Sequence, residues 1–276
     1  MSRADLFEAD GRIGRALFAS MDPIATGLFR IALAGMVVLV FRPVPWPLPR
    51  FVEAAPVVRS LYEQAFLTGG YWAAVVTLAM LLALGVRPRL AGAALAVLLL
   101  PLVPFEGRLP ARQLLLVTVL AFSFLRSDAA LTLSPRRGPA PDSAGPCWPL
   151  RIVQLQLSVL YAANAVSKTT PDYLSGQTLA AMMETLPNFL VRPSEGHIAA
   201  GGLSIPLWLA AAGVVLTEYA LAAGFWFPRA RVATAALGVV FHAAVRYVVR
   251  IGYLDLVTLF LYAAFLLPFE RRRGRA

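Results

Sequence analysis

Arg151-Ile-Val-Gln-Leu-Gln-Leu-Ser-Val-Leu-Tyr-Ala-Ala-Asn-Ala-Val-Ser-Lys168 is an apolar run with a polar line drawn along it. Gln154, Ser158, Tyr161, Asn164 and Lys168 are spaced by four, three, three and four residues, so a helix puts all five on one face. A bilayer is crossed by roughly 17–25 mostly apolar residues, and this run is long enough. A polar stripe on such a helix cannot face lipid and must line a cavity or pack on other helices. Hydrogen bonds that merely hold a bundle together also account for it. Lys168 is the only lysine in the chain. Arginine keeps its charge at any working pH, whereas a desolvated lysine can lose its proton and act as a base or nucleophile. Snorkelling of Lys168 to the membrane interface is the competing structural reading.

Composition agrees with a membrane protein. The 276 residues are 59% hydrophobic and 14% charged, against roughly 25% charged in soluble domains, and the mean hydropathy is +0.69. The net charge of +10 comes from arginines at the ends of apolar runs, as expected of a multi-span protein. No basic patch with interleaved aromatics appears, so no nucleic-acid partner is expected. Cys147 is alone, and His197 and His242 are the only histidines, which argues against a cysteine or histidine metal site. Neither a dinucleotide-binding glycine pattern nor a phosphate loop occurs.

The expected fold is all-α: a polytopic membrane bundle of about eight spans near 23–41, 69–86, 89–105, 111–126, 150–168, 204–227, 231–247 and 251–268. Residues 1–22 read as an N-terminal amphipathic cap, 23–268 as the bundle, and 269–276 as a basic tail. A proline-rich break runs from Arg42 to Arg50, and a low-complexity link near 134–149 joins two halves. With the N-terminus inside, fifteen basic residues fall in inner loops and tails and nine outside, Arg112 among the nine. The Arg271-Arg-Arg-Gly-Arg275 tail is the strongest vote. Both termini are therefore expected in the cytoplasm and Lys168 at the outer side.

Several ionisable groups fall where a bilayer disfavours them. Glu218 sits near the middle of its span, at a cost of roughly 2–3 kcal/mol unless it is paired, protonated or functional. His242 lies roughly 16 Å from the inner end of its span, with Arg246 one turn further out and Asp255 near the outer surface of the last. These groups and Lys168 occupy the outer half of four C-terminal spans. An ion-pair network and a functional site both account for that clustering. Arg30, in the inner half, reads as structural, an ion-pair partner or a clamp on backbone.

Tyr161-Ala-Ala-Asn-Ala-Val-Ser-Lys-Thr-Thr-Pro-Asp-Tyr-Leu-Ser-Gly176 resembles a signature of the membrane domain of vitamin K-dependent γ-carboxylase and its bacterial relatives, the HTTM (horizontally transferred transmembrane) family. That signature runs Tyr, small residues, Lys, an acidic–aromatic pair and then Gly. Leu28-Phe-Arg-Ile31, Gly213 to Tyr219 and Phe241-His242 followed by Ile251-Gly252 extend the resemblance over about 22–268. The resemblance implies a lipid quinol, vitamin K or menaquinone-like, as cofactor, and Lys168 as the base that deprotonates it. Glu218 and His242 would share the catalytic site. Tyr161, Asn164, Gln154 and Arg246 would line the quinol pocket, Arg246 or desolvation helping to keep Lys168 neutral. It also implies an integral protein of the bacterial cytoplasmic membrane.

Two departures separate the chain from the carboxylase. Alignment through Leu120-Ala-Phe122 puts Gln113, beside Arg112, where the carboxylase has a functional histidine. Only a short basic tail follows Leu267, where the carboxylase continues into a lumenal domain. Three functions remain open: a quinol-linked enzyme modifying a peptide or small substrate at the outer face, a non-catalytic maturation, immunity or assembly factor for a secreted peptide, and a DoxX-like quinone-linked subunit. An enzyme requires Lys168 buried and close to Glu218 or His242. Transport requires a polar path through the inner half, where Arg30 is nearly alone.

Overall fold

Asp22-Pro23 begins the first membrane helix by local chemistry alone. The Asp22 carboxylate accepts from the Ala25 N–H at 2.7 Å, and Pro23 takes a first-turn position where its missing N–H costs nothing. The computed structural model of the chain describes residues 17–42, 69–103, 110–133, 145–200, 203–267 and 269–270. The helices are α1 (Pro23–Val40), α2 (Gly70–Ala83), α3 (Pro88–Leu99, followed by a 3-10 turn at Leu100–Leu102), α4 (Pro110–Phe122), α5 (Trp148–Lys168), α6 (Pro171–Leu174), α7 (Gln177–Thr185), α8 (Leu207–Gly224), α9 (Arg231–Val248) and α10 (Leu254–Leu266). Each of the eight expected spans thus coincides with a helix. Among the described residues, α1, α8 and α9 are long and apolar enough to cross a membrane, while α2, α3, α4 and α10 are apolar but shorter. Residues 1–16 of the expected cap, 43–50 of the proline break, 134–144 of the link and 271–276 of the tail lie outside the described residues.

The chain forms two compact units, residues 1–153 with 267–276, and residues 154–266, the boundary falling inside α5. In the first unit α1, α2, α3 and α4 pack in sequence and α4 returns to α1. Phe29 stacks on Phe122 with ring centroids 4.8 Å apart. Arg30 is fully buried and donates to the backbone carbonyls of Ser127, Leu131 and, at 3.1 Å, Ala83. It serves as a backbone clamp, with the charge of Asp128 acting on it as well. Gly85, with φ +73°, lets the end of α2 come this close: a Cβ there would lie 2.6 Å from Thr132 Oγ1 and 2.9 Å from the Arg30 guanidinium. Arg112 corrects the charge count above. It is buried, donates to the carbonyls of Leu102 and Val40, and lies over the Phe41 ring. It therefore satisfies helix ends inside the unit and casts no vote as an outer-loop charge.

The second unit inverts the pattern of a soluble bundle. α9 buries Thr234, Gly238 and His242 and exposes Val232, Val239 and Val240, polar and small inside and apolar outside, as lipid-facing helices require. α8 packs on α9 and α9 on α10. The expectation of an all-α fold needs one correction. Between α5 and α8 the chain builds a cap from α6, α7 and an antiparallel sheet of β2 (Pro193–Ser194), β3 (His197–Ala200) and β4 (Leu203–Pro206), in that order. A second small ladder pairs β1 (Ser20–Met21) with β5 (Phe269–Glu270) in the first unit. The cap is punctuated by its sequence. Thr170 caps α6, Pro171 opens it, and Gly176 adopts φ +87° where a Cβ would sit 2.6 Å from Leu207 at the start of α8. The fold is mostly helical, with these two sheets added.

Replacing Arg30 with Met should leave carbonyls of Ala83, Ser127 and Leu131 unpaired in an apolar surround. The expected loss is roughly 2–4 kcal/mol, read as an earlier thermal unfolding transition in detergent. Unchanged unfolding would show that the clamp is dispensable.

Candidate functional site

α5 delivers the polar stripe inward, as its spacing requires. Gln154, Ser158 and Tyr161 are buried, and Asn164 and Lys168 half-buried. Four of the five rungs then find a partner from elsewhere in the fold. Gln154 donates to the Ala264 carbonyl of α10 at 2.7 Å. Ser158 Oγ accepts from the Trp226 indole at 2.9 Å. Tyr161 Oη lies 2.7 Å from His242 Nε2 of α9 and 2.6 Å from Tyr262 Oη of α10. Lys168 Nζ donates to Glu218 Oε1 of α8 at 2.5 Å. The lysine side chain keeps 28% of its exposure and the carboxylate 5%, so the pair spans from the edge of the site into its interior.

The C-terminal half of the stripe opens on a cavity of about 570 Å³ inside the second unit. Tyr161, Asn164, Lys168, Glu218 and His242 line it, and almost everything else in its wall is apolar: Leu160, Val214, Phe241 and Val245 from the helices, Leu179, Met182 and Ile198 from the cap. Two buried polar atoms of residues in the cavity wall have no partner among the described residues: Glu218 Oε2 and His242 Nδ1. Their residues are 3% and 4% exposed, and unpaired polar atoms at that depth are rare enough to need a reason. Tyr173, on α6 of the cap, also lines the cavity. Burial, and after it the negative charge of Glu218, push its hydroxyl up to about 12. It is a protonated phenol at neutral pH.

Of the seven residues expected at the site, five line the cavity. Gln154 lies deeper on the stripe, committed to Ala264, and is not in the cavity wall. Arg246 is likewise outside the wall. Its guanidinium pairs with the buried carboxylate of Asp255 and is largely exposed, while Asp255 Oδ1 accepts from the Leu256 N–H at the start of α10. Residues absent from the sequence reading are Tyr262 and Thr258. Thr258 Oγ1 lies 3.1 Å from His242 Nε2. Asp255, Thr258 and Tyr262 follow at steps of three and four, one face of α10, and that spacing was the available signal. Gly238 makes room for Tyr262, since a Cβ there would come 2.4 Å from Tyr262 Oη. Gln113 is half-buried on α4, in the first unit. Among the described residues no three His, Cys, Asp or Glu side chains gather as a metal site.

An inward polar stripe, apolar outer faces and an acid–base pair in an apolar cavity define a membrane-embedded helical protein with a ligand-sized chamber. A family model described as the HTTM domain matches residues 57–268, and the chain belongs to that family. It is an integral membrane protein related to the carboxylase membrane domain. Comparison with curated proteins and with solved structures gives no significant match.

Removing Lys168 strands a carboxylate that has little water. Lys168→Ala is expected to lose roughly 1–3 kcal/mol of stability, and adding Glu218→Gln should restore at least half of it. A double-mutant cycle on thermal unfolding measures this. Simple additivity would show that the two side chains do not form a working pair.

Proposed function

We propose that this protein is a membrane enzyme that takes a lipid quinol into the cavity of its second unit and uses the Lys168–Glu218 pair to remove a quinol proton. The observation that carries the reading is an ion pair in the wall of an apolar chamber whose carboxylate keeps one oxygen without a partner. The residues suit such a ligand. The chamber volume lies in the range of small-molecule sites, its apolar wall suits an aromatic ring with a hydrocarbon tail, and the Glu218 and His242 atoms suit the ring's oxygens. Bound there, a quinol would supply an electron-rich oxygen that reacts with molecular oxygen once its proton is gone.

The pair acts as one unit. Lys168 and Glu218 are joined by one hydrogen bond, so a proton delivered to the site is delivered to the couple. One further proton can be accepted, ending as an ammonium beside a carboxylic acid. Tyr173 stays protonated as a donor at the chamber wall. The cap adds apolar side chains to the chamber wall, which limits water around the reacting oxygen.

With all eight helices crossing the bilayer and both termini cytoplasmic, the chamber lies toward the outer face of a bacterial cytoplasmic membrane. There the enzyme would meet a secreted peptide or small substrate. In this arrangement 1–22 is a cap on the inner surface, 23–268 the bundle and 269–276 a topology anchor. Gln113, in place of the carboxylase histidine, separates the reaction from carboxylation itself.

The test uses protein in lipid nanodiscs with 2-methyl-1,4-naphthohydroquinone as probe. The unsubstituted protein should bind it and accelerate its oxidation by oxygen above the uncatalysed rate. Lys168→Arg keeps the charge but not the exchangeable proton, so it should bind the probe and lose activity by about a hundredfold or more. Turnover unaffected in Lys168→Arg would sink the base assignment. Absence of probe binding would sink the ligand assignment, and binding without turnover would favour an accessory protein.

A further inference from the structure

We infer that Asn164 holds a ligand oxygen in both its hydroxyl and its carbonyl state, so that the chamber binds a quinol and the matching quinone alike. This rests on the chamber being a ligand site, as proposed above. Four rungs of the α5 stripe are committed within the protein. Gln154 is held by Ala264, Ser158 by Trp226, Tyr161 by His242 and Tyr262, and Lys168 by Glu218. Asn164 is the exception. Its backbone carbonyl accepts from Ser167 Oγ at 2.9 Å, but among the described residues its side-chain amide has no hydrogen bond.

The position makes that exception informative. Asn164 is half-buried and lines the chamber. Along α5 it sits about 6 Å from Lys168, one turn on, and about 4.5 Å from Tyr161, most of a turn back. Both of those residues also line the chamber. The amide therefore lies between the level of the ion pair and the level of the Tyr161–His242 contact, in a wall that is almost wholly apolar. An amide carries two hydrogens and an oxygen with two lone pairs, and polar groups withdrawn from water are nearly always paired. The partner that remains is the ligand.

The chemistry of the amide decides what that ligand presents. An ionised carboxylate such as Glu218 accepts hydrogen bonds and does not donate them. It suits a hydroxyl and repels a carbonyl oxygen. The amide serves both. Its NH2 donates to a carbonyl, its C=O accepts from a hydroxyl, and half a turn about the Cβ–Cγ bond exchanges the two. A side chain tied to another helix would have to break that tie in order to turn. Asn164 has none to break. A ring oxygen that changes from hydroxyl to carbonyl as the quinol is oxidised thus keeps its contact while the rest of the wall stays in place.

The experiment measures binding to protein in nanodiscs without oxygen. The probes are 2-methyl-1,4-naphthoquinone, its hydroquinone kept reduced by dithionite, and 2-methylnaphthalene, which has no oxygen. The unsubstituted protein should bind both oxidation states, with affinities within about tenfold of each other. Asn164→Leu keeps the size of the side chain and removes its hydrogen bonds. It should weaken both oxidation states by about three- to tenfold, and leave 2-methylnaphthalene binding and thermal unfolding unchanged. Hydroquinone bound and quinone rejected by the unsubstituted protein overturns the inference without any variant, and leaves the proposed function standing. Loss of one oxidation state alone in Asn164→Leu overturns it too. So does loss of neither, the result expected when water rather than ligand meets the amide. A lower unfolding temperature, or an equal loss of 2-methylnaphthalene affinity, would make Asn164 a packing residue instead. If the unsubstituted protein binds neither oxidation state, the ligand reading of the chamber falls and the inference falls with it.

Discussion

A carboxylate held away from water beside one lysine is the constraint on which the second unit depends. Inside a bilayer each polar atom needs a partner from the protein, and Glu218 is too deep to find one in solvent. Lys168 reaches it from the end of α5, which sets the rotation of α5 about its own axis. With that rotation set, Tyr161 faces α9 and α10, Ser158 meets Trp226, and Gln154 meets Ala264. Substituting a residue that cannot carry the contact would leave a buried group unpaired rather than simply remove a bond.

The first unit solves the same problem differently. Its buried cations are arginines, and among the described contacts they serve backbone carbonyls: Arg30 holds α1 to the end of α2 and to the 127–131 turn, and Arg112 holds α4 to Val40 and Leu102. A planar guanidinium with five donors suits that task. Lysine would supply fewer fixed directions and could lose its charge. The chain thus divides its basic residues by chemistry, with permanent cations where backbone must be held and the exchangeable one where a proton could move.

Much of this was legible in the sequence because membrane helices announce themselves by length and period. Every expected span holds a helix, and the five-residue stripe on α5 predicted which face turns inward. The missed parts depend on contacts between segments distant in sequence. Arg112 looked like a loop charge because nothing local tells a buried first-turn arginine from an exposed one. Arg246 looked like a neighbour of Lys168, yet Asp255, nine residues on, claims it. Gln154 shares the stripe but not the chamber, because helix depth rather than helix face decides that. Tyr262 reads as an ordinary apolar-helix aromatic until Tyr161 is seen against it. The cap between α5 and α8 has short elements whose strands are two to four residues long, too brief for alternation to register.

Placing the whole stripe on one helix has a mechanical consequence. α5 resembles a camshaft: its lobes are fixed to one rod, and they cannot be timed separately. A step of one residue along a helix is about 100° of rotation and about 1.5 Å of travel. A turn of that size would withdraw Lys168 from Glu218 and Tyr161 from His242 in the same stroke. The charge contact and the hydroxyl contacts of the chamber therefore engage or release together whenever α5 moves as a rigid body.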